Sequence, residues 1–89
     1  MKKIVKFGGS SLADATQFKK VAKIIKSDES RRFVVPSAPG KRFSEDIKVT
    51  DLLYQAYNAK DNKTFETIFN QIKHRFQNII DELNLDLSL

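Results

Sequence analysis

The chain has no cysteine and no tryptophan, one histidine, three glycines and two prolines. Without cysteine there is no disulfide, no thiolate nucleophile and no Cys-ligated metal, which fits a reducing cytoplasm. No apolar run approaches the ~20 residues that span a bilayer, so no membrane partner is expected. Lys2 and Lys3 are followed by only a few apolar residues, and the opening segment does not read as a signal peptide. The glycines are not spaced as in a Walker A loop or a dinucleotide fingerprint. His74 has no second histidine, no cysteine and no carboxylate cluster near it in sequence, so neither a metal centre nor a histidine base is expected, and a surface histidine is. There are no internal repeats or low-complexity tracts.

What remains is an ordinary soluble composition of 89 residues, 40% hydrophobic and 30% charged. That length supports one small domain, burying about 60–65% of its unfolded surface. The net charge of +5 is uneven: residues 1–42 hold 11 Lys and Arg against 3 Asp and Glu, the rest 5 against 8. A basic first half suits nucleotide phosphates or nucleic acid. Lys19, Lys20, Lys23 and Lys26, however, fall largely on the polar side of a helix, where solvation explains them, and nucleic acid is not expected as a partner.

The most informative run is Val5-Lys6-Phe7-Gly8-Gly9-Ser10-Ser11. Residues 3–7 alternate polar and apolar as a short strand does. Gly8 and Gly9 end it, and a helix is expected from about Ser11 to Lys26, with Ser11 and Asp14 as a capping box. Such a turn aims backbone N–H groups at an anion, and two glycines let a phosphate approach without a Cβ in the way. Lys6 at the strand end adds a cation. The plainer reading is an ordinary turn beside a solvated lysine.

Leu12, Ala15, Phe18, Val21, Ala22 and Ile25 form the buried stripe of that helix. Arg32-Phe33-Val34-Val35-Pro36 reads as a second strand, apolar enough to be buried on both faces as a parallel strand is. Strand, helix and strand make a right-handed βαβ unit. Pro36 to Gly40 close it with breaker residues, so this turn and Gly8-Gly9 should line the same rim, outside the carboxyl ends of the strands. Residues 41–48 are polar, with one exposed Phe43, and read as a mobile loop that on this rim would serve as a lid. Thr50 is the expected N-cap of the next helix. From Thr64, the set Phe65, Ile68, Phe69, Ile72, Phe76, Ile79, Ile80 and Leu83 keeps 3.6 spacing for about five turns and is assigned to core.

Three stretches taken together, Lys6-Phe7-Gly8-Gly9-Ser10-Ser11, Val34-Val35-Pro36-Ser37-Ala38-Pro39-Gly40 and Val49-Thr50-Asp51-Leu52-Leu53, resemble the amino-terminal segment of the aspartate kinases of the amino acid kinase family. Family members carry Lys-Phe-Gly-Gly-Thr/Ser-Ser at the first place, a Val-Val-Ser-Ala-type loop at the second and Thr-Asn/Asp-Leu-Leu at the third. Pro36, Pro39 and the eight residues before Val49 match less closely. The resemblance implies an α/β fold, residues 1–89 being the βαβ-plus-helices start of a three-layer α/β/α sandwich with a mostly parallel sheet. It implies phosphoryl transfer from ATP, with Mg²⁺, to the side-chain carboxylate of L-aspartate, in the cytoplasm, by a homo-oligomeric full-length enzyme serving lysine, threonine and methionine synthesis. Lys6 would be the catalytic lysine that neutralises the transferring phosphoryl group, and Gly8, Gly9 and Ser10 the backbone cradle around it. Ser37 and Thr50 would bind aspartate.

The family's second lysine, acidic catalytic residue, aspartate-binding arginine, adenosine pocket and regulatory ACT domains belong to later segments. By resemblance, residues 1–89 are therefore a truncated catalytic domain, inactive alone and without metal ligands. The alternative reading is a small interaction module without catalysis, its phosphate turn and basic half docking an anion or nucleic acid.

Overall fold

The computed structural model describes residues 2–87 and residue 89. Strand β1 (Lys3–Phe7) leads through a 3-10 turn (Gly9–Leu12) into α1 (Ala15–Lys26), and β2 (Arg31–Pro36) returns parallel to β1. Helices α2 (Val49–Asn58) and α3 (Asn62–Glu82) follow. The architecture is α/β with a two-stranded parallel sheet, as expected.

The first helix starts later than the sequence suggests. Gly9–Leu12 are taken up by the 3-10 turn, so Asp14, not Ser11, is the N-cap, its carboxylate accepting the Gln17 N–H at 3.0 Å. The return to β2 is tied by Asp28, which accepts from Ser30 N, Ser30 Oγ and Lys3 Nζ within 2.9 Å. Arg31 reaches back to Ser27 Oγ and the Ile24 carbonyl, fastening the end of α1 to the start of β2.

Phe7, Leu12 and Val21 form the core between β1, the 3-10 turn and α1, with Val5, Phe18 and Ile25 packed against it. The other face of the sheet is uncovered. Ile4 pairs with Phe33 and Lys6 with Val35, and all four are exposed. The expectation that β2 is buried on both faces is therefore corrected. An apolar strand needs cover on each side, and α1 supplies it on one only. The radius of gyration, 15.1 Å, exceeds the about 12 Å of a compact chain of this length.

Helix α2 begins one residue before Thr50. Val49 is 2% exposed and donates its N–H to the Pro39 carbonyl at 3.0 Å, which draws it into the helix and makes Lys48 the N-cap residue, with no side-chain cap. Helix α3 is capped by Asp61, which accepts the Thr64 N–H at 2.7 Å. It closes on Asn84 in the left-handed region (φ 55°), with Leu85 N–H bonded to the Ile80 carbonyl at 3.0 Å.

Ile72, Ile79 and Ile80 are buried. Phe65 and Phe69, assigned to the same core, are exposed and stack on each other at 5.7 Å. Their neighbour α2 has 10 residues against 21, and its own Leu53, Tyr54 and Tyr57 are exposed, so the core under α3 is confined to its second half.

Candidate functional site

The two turns that follow the strand ends meet backbone to backbone. Ser37 N–H donates to the Phe7 carbonyl at 3.0 Å, carrying the sheet pairing past Pro36. Gly40 N–H donates to the Gly9 carbonyl at 2.8 Å. A Cβ built on Gly40 would fall 2.6 Å from Gly9 C and 2.9 Å from Ser10 N, so only glycine permits this approach.

The contact creates an open cleft of about 450 Å³. Gly9 and Ser10 line it from one turn, Ser37 and Lys41 from the other, and Lys48 and Thr50 from the start of α2. Four residues singled out in the sequence, Gly9, Ser10, Ser37 and Thr50, thus share one cavity. Starting α2 at Val49 leaves the Thr50 hydroxyl with no capping duty. Lys41 and Lys48 were not foreseen. Neither is ion-paired among the described residues, and together they make the cleft electropositive.

Lys6 and Gly8 lie outside the lining. Lys6 is exposed on β1 opposite Val35, on the sheet face away from α1, with no ion pair among the described residues. Gly8 is extended (φ −76°, ψ 174°), and a Cβ there would meet nothing within 4 Å. Neither packing nor backbone conformation requires glycine at this position. The space above it is open, and the first N–H groups of the adjoining 3-10 turn, those of Gly9 and Ser10, have no intrahelical acceptor. This is a cradle that a side chain would begin to fill, and it fits a phosphoryl oxygen. Among the described residues no cluster of three or more His, Cys, Asp or Glu side chains is placed to hold a metal. His74 is exposed and does not line the cleft.

Behind the cleft lies a charged cluster that the sequence reading passed over. Arg75, 4% exposed in the middle of α3, donates to the carbonyls of Gly40 (2.5 Å), Ile47 (2.8 Å) and Ala13 (3.2 Å). The neighbour of its Nη1 is Asp46, whose carboxylate lies 3.6 Å from the guanidinium and also takes a two-pronged contact from Arg42 at 2.6 and 3.0 Å. The Arg42 hydrogen bonds hold Asp46 well below the usual carboxylate range, and burial lowers Arg75 from its ordinary value. Residues 41–48, read from sequence as a mobile loop, are thus cross-tied to themselves and to α3. The available signal was an arginine standing in helical register with Ile72 and Ile79.

The amino acid kinase family model matches residues 1–84. Aspartokinase 3 of Bacillus subtilis (strain 168) is 44% identical over 90 residues, taking in 98% of this chain and 19% of that protein. The crystal structure of the aspartate kinase of Clostridium acetobutylicum, an allosteric enzyme, matches with a TM-score of 0.86 at 50% identity, over 96% of this chain and 20% of that one. The chain therefore spans about a fifth of the length of these relatives. The motif-bearing turns, the parallel βαβ unit and the helices that follow all fall inside the matched region, and the chain belongs to the amino acid kinase family.

Proposed function

We propose that residues 1–89 are the N-terminal part of the catalytic domain of an aspartate kinase. The enzyme would transfer the γ-phosphoryl group of MgATP to the side-chain carboxylate of L-aspartate, giving 4-phospho-L-aspartate, the first step of aspartate-family amino acid biosynthesis in the cytoplasm. One observation carries this reading: the Gly40–Gly9 hydrogen bond at 2.8 Å brings the glycine turn and the residues proposed for the acceptor onto one electropositive cleft. The 44% and 50% identities to an aspartokinase and an aspartate kinase support the choice of acceptor.

In this reading Gly8, Gly9 and Ser10 cradle the transferring phosphoryl group, and Lys6 reaches over from the strand end to offset its charge. Ser37 and Thr50 orient the aspartate. An acceptor oxygen attacks phosphorus, the bond to the β–γ bridging oxygen breaks, and ADP leaves with the electron pair. The acceptor carboxylate is already ionised near neutral pH. No proton has to be removed, and the segment accordingly needs no base. Two anions must instead be held together against their repulsion, which calls for positioning and positive charge. Lys41 and Lys48 supply charge at the rim.

The test is acyl phosphate formation from ATP and aspartate, trapped as the hydroxamate. The natural gene product is expected to form it and isolated residues 1–89 are not. A natural product that forms none, or that instead binds nucleic acid with a steep salt dependence, refutes the reading.

A further inference from the structure

We propose that Arg75 is a positioning residue for phosphoryl transfer, fixing from behind the cleft the distance between the phosphate cradle and the acceptor residues. The inference rests on the function proposed above. Its basis is where the three accepting carbonyls stand in the chain. Ala13 follows the 3-10 turn that carries Gly9 and Ser10, Gly40 ends the turn that carries Ser37, and Ile47 precedes the helix start that carries Thr50. One planar guanidinium therefore bonds all three segments that line the cleft. The link to the cradle is short: Arg75 holds the Gly40 carbonyl, and the N–H of the same residue holds the Gly9 carbonyl at 2.8 Å.

A merely space-filling residue would serve this place differently. Arg75 keeps helical register with Ile72 and Ile79, where an apolar side chain fills a core at no electrostatic cost. The arginine is instead desolvated, and its Nε is buried with no partner among the described residues. What it adds is a rigid fork with donors in fixed directions, which lysine does not reproduce. Asp46, at 3.6 Å, orients the fork and is itself oriented by Arg42. The charge thus organises backbone rather than touching substrate.

The experiment compares the natural gene product, at whatever length it is made, with its Arg75→Lys and Arg75→Met variants, every rate being taken per folded molecule. Relative placement of two bound substrates is felt in the transition state more than in either binding step. The kcat is therefore expected to fall about 10–100-fold in both variants, while KM for ATP and for aspartate each move less than about threefold. Added guanidinium ion is expected to restore part of the kcat of Arg75→Met. Amide exchange at Gly40, whose N–H is bonded to the Gly9 carbonyl, is expected to quicken while the β1–β2 pairing keeps its protection.

A kcat per folded molecule within about twofold of the parent in both variants, whatever the loss of thermal stability, overturns the proposal and leaves Arg75 a structural residue. Should neither variant fold, Asp46→Asn keeps the guanidinium and removes its anionic neighbour. A several-fold fall in kcat at unchanged KM supports the proposal there, and an unchanged kcat overturns it. A parent protein that forms no acyl phosphate sinks the proposed function, and this inference with it. An active parent with unaltered variants sinks this inference alone.

Discussion

Gly40→Ala and Gly8→Ala should have opposite consequences for stability, although both glycines lie in the turns that follow the strand ends. The new methyl at Gly40 would lie 2.6, 2.8 and 2.9 Å from Gly9 C, Gly9 O and Ser10 N. Carbon contacts are comfortable at about 3.5–4.0 Å, so the turns must part by about 1 Å. All three obstacles are backbone, and no rotamer change relieves them. Overpacking of this kind costs about 1–3 kcal/mol, and the 2.8 Å hydrogen bond to Gly9, worth about 1 kcal/mol, is strained or lost with it. A total of about 2–4 kcal/mol is expected in urea unfolding, as a lower midpoint at unchanged slope. At Gly8 the methyl meets nothing within 4 Å and the backbone is extended, so stability should hold or rise by about 0.4–1 kcal/mol. The same methyl stands where a phosphoryl oxygen is proposed, and ATP affinity should fall tenfold or more. Calorimetric titration with ATP on both variants separates the effects. A Gly40→Ala protein as stable as its parent would refute the locked turns. A Gly8→Ala protein that binds ATP normally would refute the cradle.

Lys6→Ala should leave unfolding unchanged, because the side chain is exposed and unpaired among the described residues, yet lower kcat about 10²–10³-fold in the hydroxamate assay. Equal kcat would remove Lys6 from the proposed mechanism. Asp61→Ala should lower stability slightly and fray the first turn of α3, seen as faster exchange of the Thr64 amide. Unchanged exchange there would count against the cap. Asp46 ionises more readily folded than unfolded because Arg42 bonds its charged form. Its stabilisation is thus complete above the unfolded carboxylate value of about 4 and fades as pH falls through the depressed folded value. Asp46→Asn should therefore be less stable than the parent at pH 7, with the gap closing as the solution is acidified below about pH 4. A gap independent of pH would show that the ion pair contributes nothing.

How far the sequence reached can be traced residue by residue. The helical spacing of Ala15, Phe18, Val21 and Ile25 located α1, and the alternation of residues 3–7 located β1, because both patterns are written locally. The start of α1 was misplaced for an equally local reason: Ser11 and Asp14 both offer capping oxygens, and only the intervening 3-10 turn decides between them. The apolar residues 33–35 led to an expectation of burial that the structure does not meet, because an apolar run does not say what supplies the cover. Phe65 and Phe69 failed in the same way. Gly9, Ser10 and Ser37 were legible as rim residues because a parallel βαβ unit puts both strand-end turns on one side, whereas Thr50 was legible only through the family resemblance of its helix start.

Arg75 was half legible. An arginine in register with two buried isoleucines announces a buried charge, but its acceptors lie 28, 35 and 62 residues away along the chain. Only the folded chain brings those carbonyls to one point. The division has a physical consequence. The apolar core, built from local patterns, lies between β1 and α1 and under the second half of α3, whereas the cleft is held by polar bonds made across long stretches of sequence. Packing energy and cleft geometry therefore rest on different residues. A substitution at Val21 should cost stability while leaving the Gly9–Gly40 contact in place, and one at Arg75 should disturb the contact far more than the core.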